Sequence, residues 1–252
     1  TLLYLGMINK TDLHNLIHKY YLNGLVERVK WNIKDNTLEM DFMDDSAQVV
    51  GSLRAEGIEI KDIEVGFSST SRLLKLLAIL NGDLYVDFQF TEDVAEKMTI
   101  DDAKFNVNYS VSAIESIPKV PKIQNYPEID AEIYLSREDI DSLLKAKGAI
   151  AESDEVSIVA DKTLDGEDMI NFIFGDPNTP HSNKVTYGVR SKIINNFDSG
   201  TYFDSSLLKN ILSVNKNCGE GLIKFSAMGM LHYVFNEGTC TTNYYMTSKE
   251  NV

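Results

Sequence analysis

The sequence predicts an α+β fold built from two tandem copies of one unit. Four short helical patterns set between β-rich stretches, matched helix-to-helix offsets and a matched closing strand carry that prediction. A first helix is expected from Thr11 as N-cap, with Leu13, Leu16, Ile17 and Tyr20 on one face and Gly24 as its stop. A second is expected over 70–80, with Leu73, Leu76, Leu77 and Leu80 inward and Gly82 just past its end. Ser136 followed by Asp139 is a variant of the capping box and opens a third helix burying Ile140, Leu143 and Leu144. Asp204 opens the fourth, which carries Leu207, Leu208, Ile211 and Leu212. Each spans about three turns, too short to persist in water without packing on something else.

Strands are expected at 26–33, 38–42, 49–53, 58–67, 84–90 and 104–113, then at 131–135, 155–160, 169–174, 184–189, 222–227, 230–235 and 239–246. Alternation is plainest over 85–90 (YVDFQF) and 105–109 (FNVNY). The first and third helices begin 125 residues apart, at Thr11 and Ser136; the second and fourth begin 134 apart, at Thr70 and Asp204. The closing strands match at an offset of 135, Asn108 and Tyr109 beside Asn243 and Tyr244. Three of the five prolines, Pro118, Pro121 and Pro127, fall within 115–130, which reads as an extended connector. The expected division is therefore 1–116, a connector at 117–129, and 130–252.

Composition narrows the function. The 252 residues are 43% hydrophobic, enough for real cores and too many for a disordered chain. No apolar run reaches the ~18–20 residues of a membrane helix, and no basic-then-apolar signal pattern opens the sequence, so no membrane partner is expected. The first residue is Thr1 rather than Met, and a start further upstream is expected. Two cysteines, Cys218 and Cys240, make no disulfide framework, so a reducing, intracellular setting is expected. The net charge of −14 argues against a protein that coats nucleic acid with a basic surface. The charge is unevenly placed, however. The four helical stretches sum to +4 and leave −18 for everything else. Lys19, Arg72, Lys75, Lys145, Lys209 and Lys216 are expected to fall away from the leucine faces, and together with Lys10, His14, His18, Arg137 and Lys147 they are the expected phosphate-facing set. Basic helices on acidic sheets are what a phosphate-facing surface needs; ordinary solvated helix faces give the same count.

Candidate catalytic constellations do not hold together. His14 and His18 sit one helical turn apart, but Asn15 stands where a zinc-protease helix needs Glu and no third ligand follows, so no metal is expected. The triplet at Asp198, Ser199 and Gly200 matches an aspartic protease, whose chemistry needs a second such carboxylate; no second triplet exists, and a turn into the Asp204 cap is the plainer reading. Gly219 to Gly221 reads as a hairpin turn, and no nucleotide-binding Gly-Lys-Ser/Thr loop occurs. Asp44 and Asp45 lack a third spaced carboxylate. A non-enzyme without cofactor is expected.

Two helix-plus-sheet copies, a proline-containing connector and basic helices together resemble a DNA polymerase sliding clamp of the proliferating cell nuclear antigen and tailed-phage branch, over essentially the whole chain. Met43, Asp44, Asp45 and Ser46, followed by Val49 and Val50, resemble the loop after an early strand of that family. Leu208 and Lys209 with Lys216 resemble its last helix, and Asn243, Tyr244, Tyr245 and Met246 its final strand; Ala47 or its neighbour replaces the usual His of the early loop. The resemblance implies a head-to-tail homotrimer of six clamp domains, helices lining a central hole and antiparallel sheets outside. It implies sequence-independent double-stranded DNA, a polymerase and an ATP-dependent clamp loader as partners. It places Phe105, Val107, Tyr109 and Val111 of one subunit against Val185, Tyr187 and Val189 of the next. It also implies a partner-peptide pocket from Met43, Ala47, Val50, Ile117, Val120, Ile123, Tyr245 and Thr247. The expected place is at replicating DNA inside a cell, the host bacterial cytoplasm for a phage protein. A monomeric, charge-held processivity factor, a checkpoint-type clamp subunit and, remotely, the protease at Asp198 are the alternatives.

Overall fold

A computed structural model of the chain describes residues 6–92, 94–176, 182–197 and 200–249. It divides into two units, one running to Pro121 and taking in Gly238–Thr241, the other holding the rest from Lys122. The first contains β1 (Gly6–Asn9), α1 (Lys10–Tyr21), β2 (Val29–Lys34), β3 (Thr37–Met43), β4 (Val49–Glu56), β5 (Ile63–Phe67), α2 (Thr70–Leu77), β6 (Asp83–Thr91), β7 (Val94–Asp101) and β8 (Asn106–Ser110). The second repeats that order of strand, helix, four strands, helix and three strands: β9 (Ala131–Ser136), α3 (Arg137–Ala149), β10 (Glu155–Lys162), β11 (Asp168–Phe174), β12 (Val185–Ile193), β13 (Thr201–Asp204), α4 (Ser205–Val214), β14 (Glu220–Ser226), β15 (Met230–Glu237) and β16 (Cys240–Thr247). The duplicated α+β architecture read from the sequence is present.

Strand order repeats too. The first unit pairs β1-β6-β7-β8 and β4-β3-β2-β5; the second pairs β9-β14-β15-β16 and β13-β10-β11-β12. In the second unit β12 and β9 join those two sets over Ser191–Ile193. In the first the corresponding link is a single bridge between Met7 and Glu59. Helices pair within each unit, α1 beside α2 and α3 beside α4, and their leucine faces close the core. Leu13, Leu16, Ile17 and Tyr20 of α1 and all four expected residues of α4 are buried. Trp31 packs on Phe67 at 4.4 Å between ring centroids, and Phe67 on Tyr109 at 5.7 Å, so β2, β5 and β8 share one aromatic cluster.

Several boundaries differ from expectation for local reasons. Asn9, not Thr11, caps α1, its side-chain oxygen accepting the Thr11 N–H at 2.9 Å. α2 ends at Leu77 because the following turn tightens, Leu80 N–H bonding the Leu77 carbonyl; Leu80 stays buried and Gly82 turns the chain at φ +67. The capping box at Ser136 and the Asp204 cap are both present. Three strands were not expected: β1, β7 and β13. β1 and β13 are only four residues long, too short to display alternation, and β7 buries only Met98 and Ile100, which hides its period. Between Ser116 and Ala131 the chain makes no helix or strand.

Candidate nucleic-acid and partner interfaces

The basic helix faces form unevenly. On the first unit Arg72 and Lys75 of α2 are exposed. Lys10 is half-buried and already engaged, its Nζ donating to the Ala78 carbonyl at 3.2 Å and to the Leu80 carbonyl. It thereby covers carbonyls at the C-cap and in the turn that follows α2. His14 and His18 are half-buried with their Nε2 atoms 3.1 Å apart. Burial pushes both imidazoles below their ordinary value; the Lys10 charge adds to this for His14, and His14 for His18. On the second unit Arg137 and Lys145 of α3, Lys209 of α4 and Lys216 just beyond it are exposed.

Two lysines depart from the expected surface. Lys147 is 4% exposed and donates to the carbonyls of Ala151 at 2.9 Å and Ser153 at 2.7 Å. It stands four residues after Leu143 and seven after Ile140, on the apolar stripe itself. Lys19 is 3% exposed, three residues after Leu16. Neither ammonium faces solvent, because helical spacing puts both on or beside the buried face. A count of basic residues hides this; the spacing shows it.

Among the described residues, two of the unpaired strand edges, one in each unit, are those where a subunit contact was expected. β8 ends its sheet, and among the described residues no strand pairs with its outer edge. β12 pairs with β11 over Val185–Arg190 and with β9 only over Ser191–Ile193, so among the described residues 185–190 keeps one unpaired side. The side chains expected at these edges are not all at the surface. Val107 and Tyr109 point into their own core, and the Tyr109 hydroxyl donates to the Ser69 carbonyl at 3.0 Å. Val189 is buried likewise. Alternate strand residues share one face, so a core face cannot also meet a neighbour. Phe105 is exposed, and Val111, Val185 and Tyr187 are half-buried, with the Tyr187 hydroxyl donating to Asp139 Oδ1 at 2.8 Å. Asn106, Asn108 and Ser110 hold the outward face of β8. Their alternation with Val107 and Tyr109 was the available signal.

The expected pocket residues are described unit by unit. In the first, Met43 and Val50 are half-buried cross-strand partners. The intervening loop is organised by Asp44, which accepts from Val49 N–H at 2.7 Å and Ser46 N–H at 3.1 Å, leaving Ala47 exposed at φ +56. Ile117 is buried over Gly66, which removes it from any surface pocket; Val120 is half-buried. In the second unit Ile123 and Tyr245 are half-buried and Thr247 exposed. Tyr245 stacks on His232 at 4.2 Å with 17° between planes, and its hydroxyl lies 3.4 Å from that of Tyr126. Burial raises the Tyr245 phenol and Tyr126 adds to it. The sequence reading missed Tyr126 and His232: one sits among prolines, the other looks like an isolated strand polar residue.

Asp198 and Ser199 lie outside the described residues. Cys218 and Cys240 are both buried, and neither is in a disulfide. Among the described residues no group of three metal-ligating side chains occurs, and no helix is long and apolar enough to cross a membrane.

The whole fold is similar to solved sliding clamps. The proliferating cellular nuclear antigen of Entamoeba histolytica matches with a TM-score of 0.72 at 16% identity, over 97% of this chain and 98% of that one. A structure of the C-terminal region of FEN-1 bound to A. fulgidus PCNA matches with a TM-score of 0.74 at 14% identity, over 99% and 100%. The PCNA2–PCNA3 complex of Sulfolobus tokodaii matches with a TM-score of 0.71 at 12% identity, over 98% and 100%. No family model and no curated protein matches the sequence itself.

Proposed function

With the sliding-clamp fold as premise, we propose that this protein is a DNA sliding clamp, a non-enzymatic processivity factor that encircles duplex DNA as a homotrimer. The observation that carries the reading is the duplicated unit, two helices on antiparallel sheets, matching clamps over 97–99% of the chain. Two further features support it. Arg72, Lys75, Arg137, Lys145, Lys209 and Lys216 are exposed on or beside the helices, where phosphate contacts would be sequence-blind and permit sliding. The open edges of β8 and β12, one in each unit, suit head-to-tail pairing of successive subunits, which closes into a ring and hides both edges. Pairing along such edges is made by the backbone, with Phe105 and the outward faces of both strands as its side-chain component.

In the ring, the helices line the hole and the sheets lie outside. Retention is then topological, and a polymerase bound to the ring stays at high effective concentration at the primer end. The A. fulgidus clamp holds the C-terminal region of FEN-1. By the same mode, Met43, Val50 and Val120 of the first unit, and separately Ile123, Tyr126 and Tyr245 of the second, are proposed to receive short apolar segments of a polymerase and other DNA-processing partners. Ring opening falls to a separate ATP-dependent loader. The setting is intracellular, at replicating DNA, and the host bacterial cytoplasm for a phage protein.

The test is mass and topology together. Light scattering on the purified protein should give about three times the 28.3 kDa chain mass. Loaded protein should stay on closed circular DNA and slide off once the circle is cut. Loss that depends on salt alone, from a strict monomer, would establish the charge-held alternative instead. The S. tokodaii complex contains two different clamp chains, which favours a second reading as one member of a heteromeric ring; trimers forming only with a related chain would select it.

A further inference from the structure

The imidazoles of His14 and His18, expected to add phosphate contacts, turn their Nε2 atoms to each other instead. They occupy successive turns of α1, with ring centroids 4.2 Å apart and planes inclined by 58°. Their Nε2 atoms approach to 3.1 Å, closer than the ring centres, so the two tips converge. Both rings are half-buried, and the helix fixes both side chains from one rigid element.

We infer that His14 and His18 form a bidentate site for a divalent transition-metal ion of the nickel or copper class, both Nε2 atoms serving as ligands. The donor set selects the class: imidazole nitrogens suit nickel and copper, and two protein ligands fall short of the closed four-ligand set of a structural zinc site. With metal–nitrogen bonds of ~2.0–2.1 Å, Nε2 atoms 3.1 Å apart subtend about 100° at a shared ion. That lies midway between the right angle and the tetrahedral angle, so the separation admits a chelated ion without fixing its coordination. Among the described residues no third His, Cys, Asp or Glu completes a cluster, so the remaining positions belong to water. The tips now share one proton, one Nε2 donating to the other. On binding, that proton moves to Nδ1 of its own ring, both Nε2 lone pairs turn to the ion, and no proton is released from two neutral rings. The charge of Lys10 works against a dication here and sets an upper limit on affinity.

The site is independent of ring formation, and its test uses the full-length protein without DNA. Nickel(II) is titrated calorimetrically at pH 8 in two buffers of different ionisation enthalpy. One ion per chain should bind, with a buffer-independent heat; His14→Gln and His18→Gln should each weaken it about tenfold or more. Copper(II) electron paramagnetic resonance should show two equivalent nitrogens, falling to one in either variant, while unliganded melting temperatures confirm folding. Equal binding by the parent and the doubly substituted chain, or nitrogen couplings unchanged in both single variants, overturns the assignment.

Discussion

Gly66 and Ile117 are in contact where only a glycine fits: a Cβ on Gly66 would lie 2.9 Å from Ile117 Cγ1 and 2.8 Å from the Ser112 carbonyl oxygen. Ser112 N–H bonds the Gly66 carbonyl at 2.8 Å, so β5 and the segment after β8 are clasped at this point. Gly66→Ala must push backbone, not merely a flexible side-chain tip. A loss of about 1–3 kcal/mol is expected, the ordinary cost of overpacking, read from the denaturant midpoint. An unchanged midpoint would show that the clasp yields freely.

The third helix is held at its start by reciprocal bonds. Ser136 Oγ accepts from Asp139 N–H at 3.1 Å, and Asp139 Oδ2 accepts from Ser136 N–H at 2.8 Å. Because Tyr187 also donates to Asp139 Oδ1, the cap ties α3 to β12. Ser136→Ala should cost about 0.5–2 kcal/mol. Tyr187→Phe should cost less, and the double variant should fall short of the sum, since one carboxylate serves both partners.

Much of this architecture was legible beforehand, and the reasons are particular. The leucine stripes of α1 and α4, the Ser136 box and the Asp204 cap each rest on spacing within one element, which sequence displays directly. The failures concern relations between elements. Lys10 was read as a surface cation, yet α2 claims its ammonium from sixty-eight residues away. Ile117 was read as a pocket wall because nothing in the connector announces that Gly66 lies beneath it. Val107 and Tyr109 were assigned to a subunit contact, whereas their alternation with Asn106 and Asn108 already marked them as core.

Charge reversal at the exposed helix positions should act on DNA and not on folding. The triple variant Lys75→Glu, Lys145→Glu and Lys209→Glu is expected to keep its oligomeric mass while losing DNA-dependent stimulation of a cognate polymerase. Sliding retention should weaken most steeply at low salt, where phosphate contacts matter most. Full stimulation by this variant would mean that these helices do not face the template.

Lys147 should behave in the opposite way. Lys147→Ala truncates a buried side chain and removes a charged donor from the part-buried carbonyls of Ala151 and Ser153, and a loss of about 1–3 kcal/mol is expected in thermal or urea unfolding. The salt dependence of DNA retention should not change. A shifted salt slope with unaltered stability would place this ammonium at the surface after all.

His232 gives stability a pH dependence. Burial depresses its pKa below the ordinary 6.5; a hydrogen bond to Asn243 partly offsets this, and Lys224, opposite it on β14, lowers it further. A base held below its unfolded value leaves the unfolded chain with more bound protons once pH falls past about 6.5. Its contribution is therefore fully present above that value and is lost progressively beneath it. Melting temperature should decline on acidification from pH 7 to 5.5, and the decline should be shallower in His232→Gln. Parallel curves for the two proteins would remove His232 as the cause.

The unpaired sides of β8 and β12 carry a genetic consequence. Under head-to-tail joining, a subunit blocked along only one of them can still recruit an intact neighbour through the other. Such a mutant is not silent in a mixed population. It enters each nascent assembly, terminates it short of closure, and makes a heterozygous or co-expressed allele dominant over the unmutated copy.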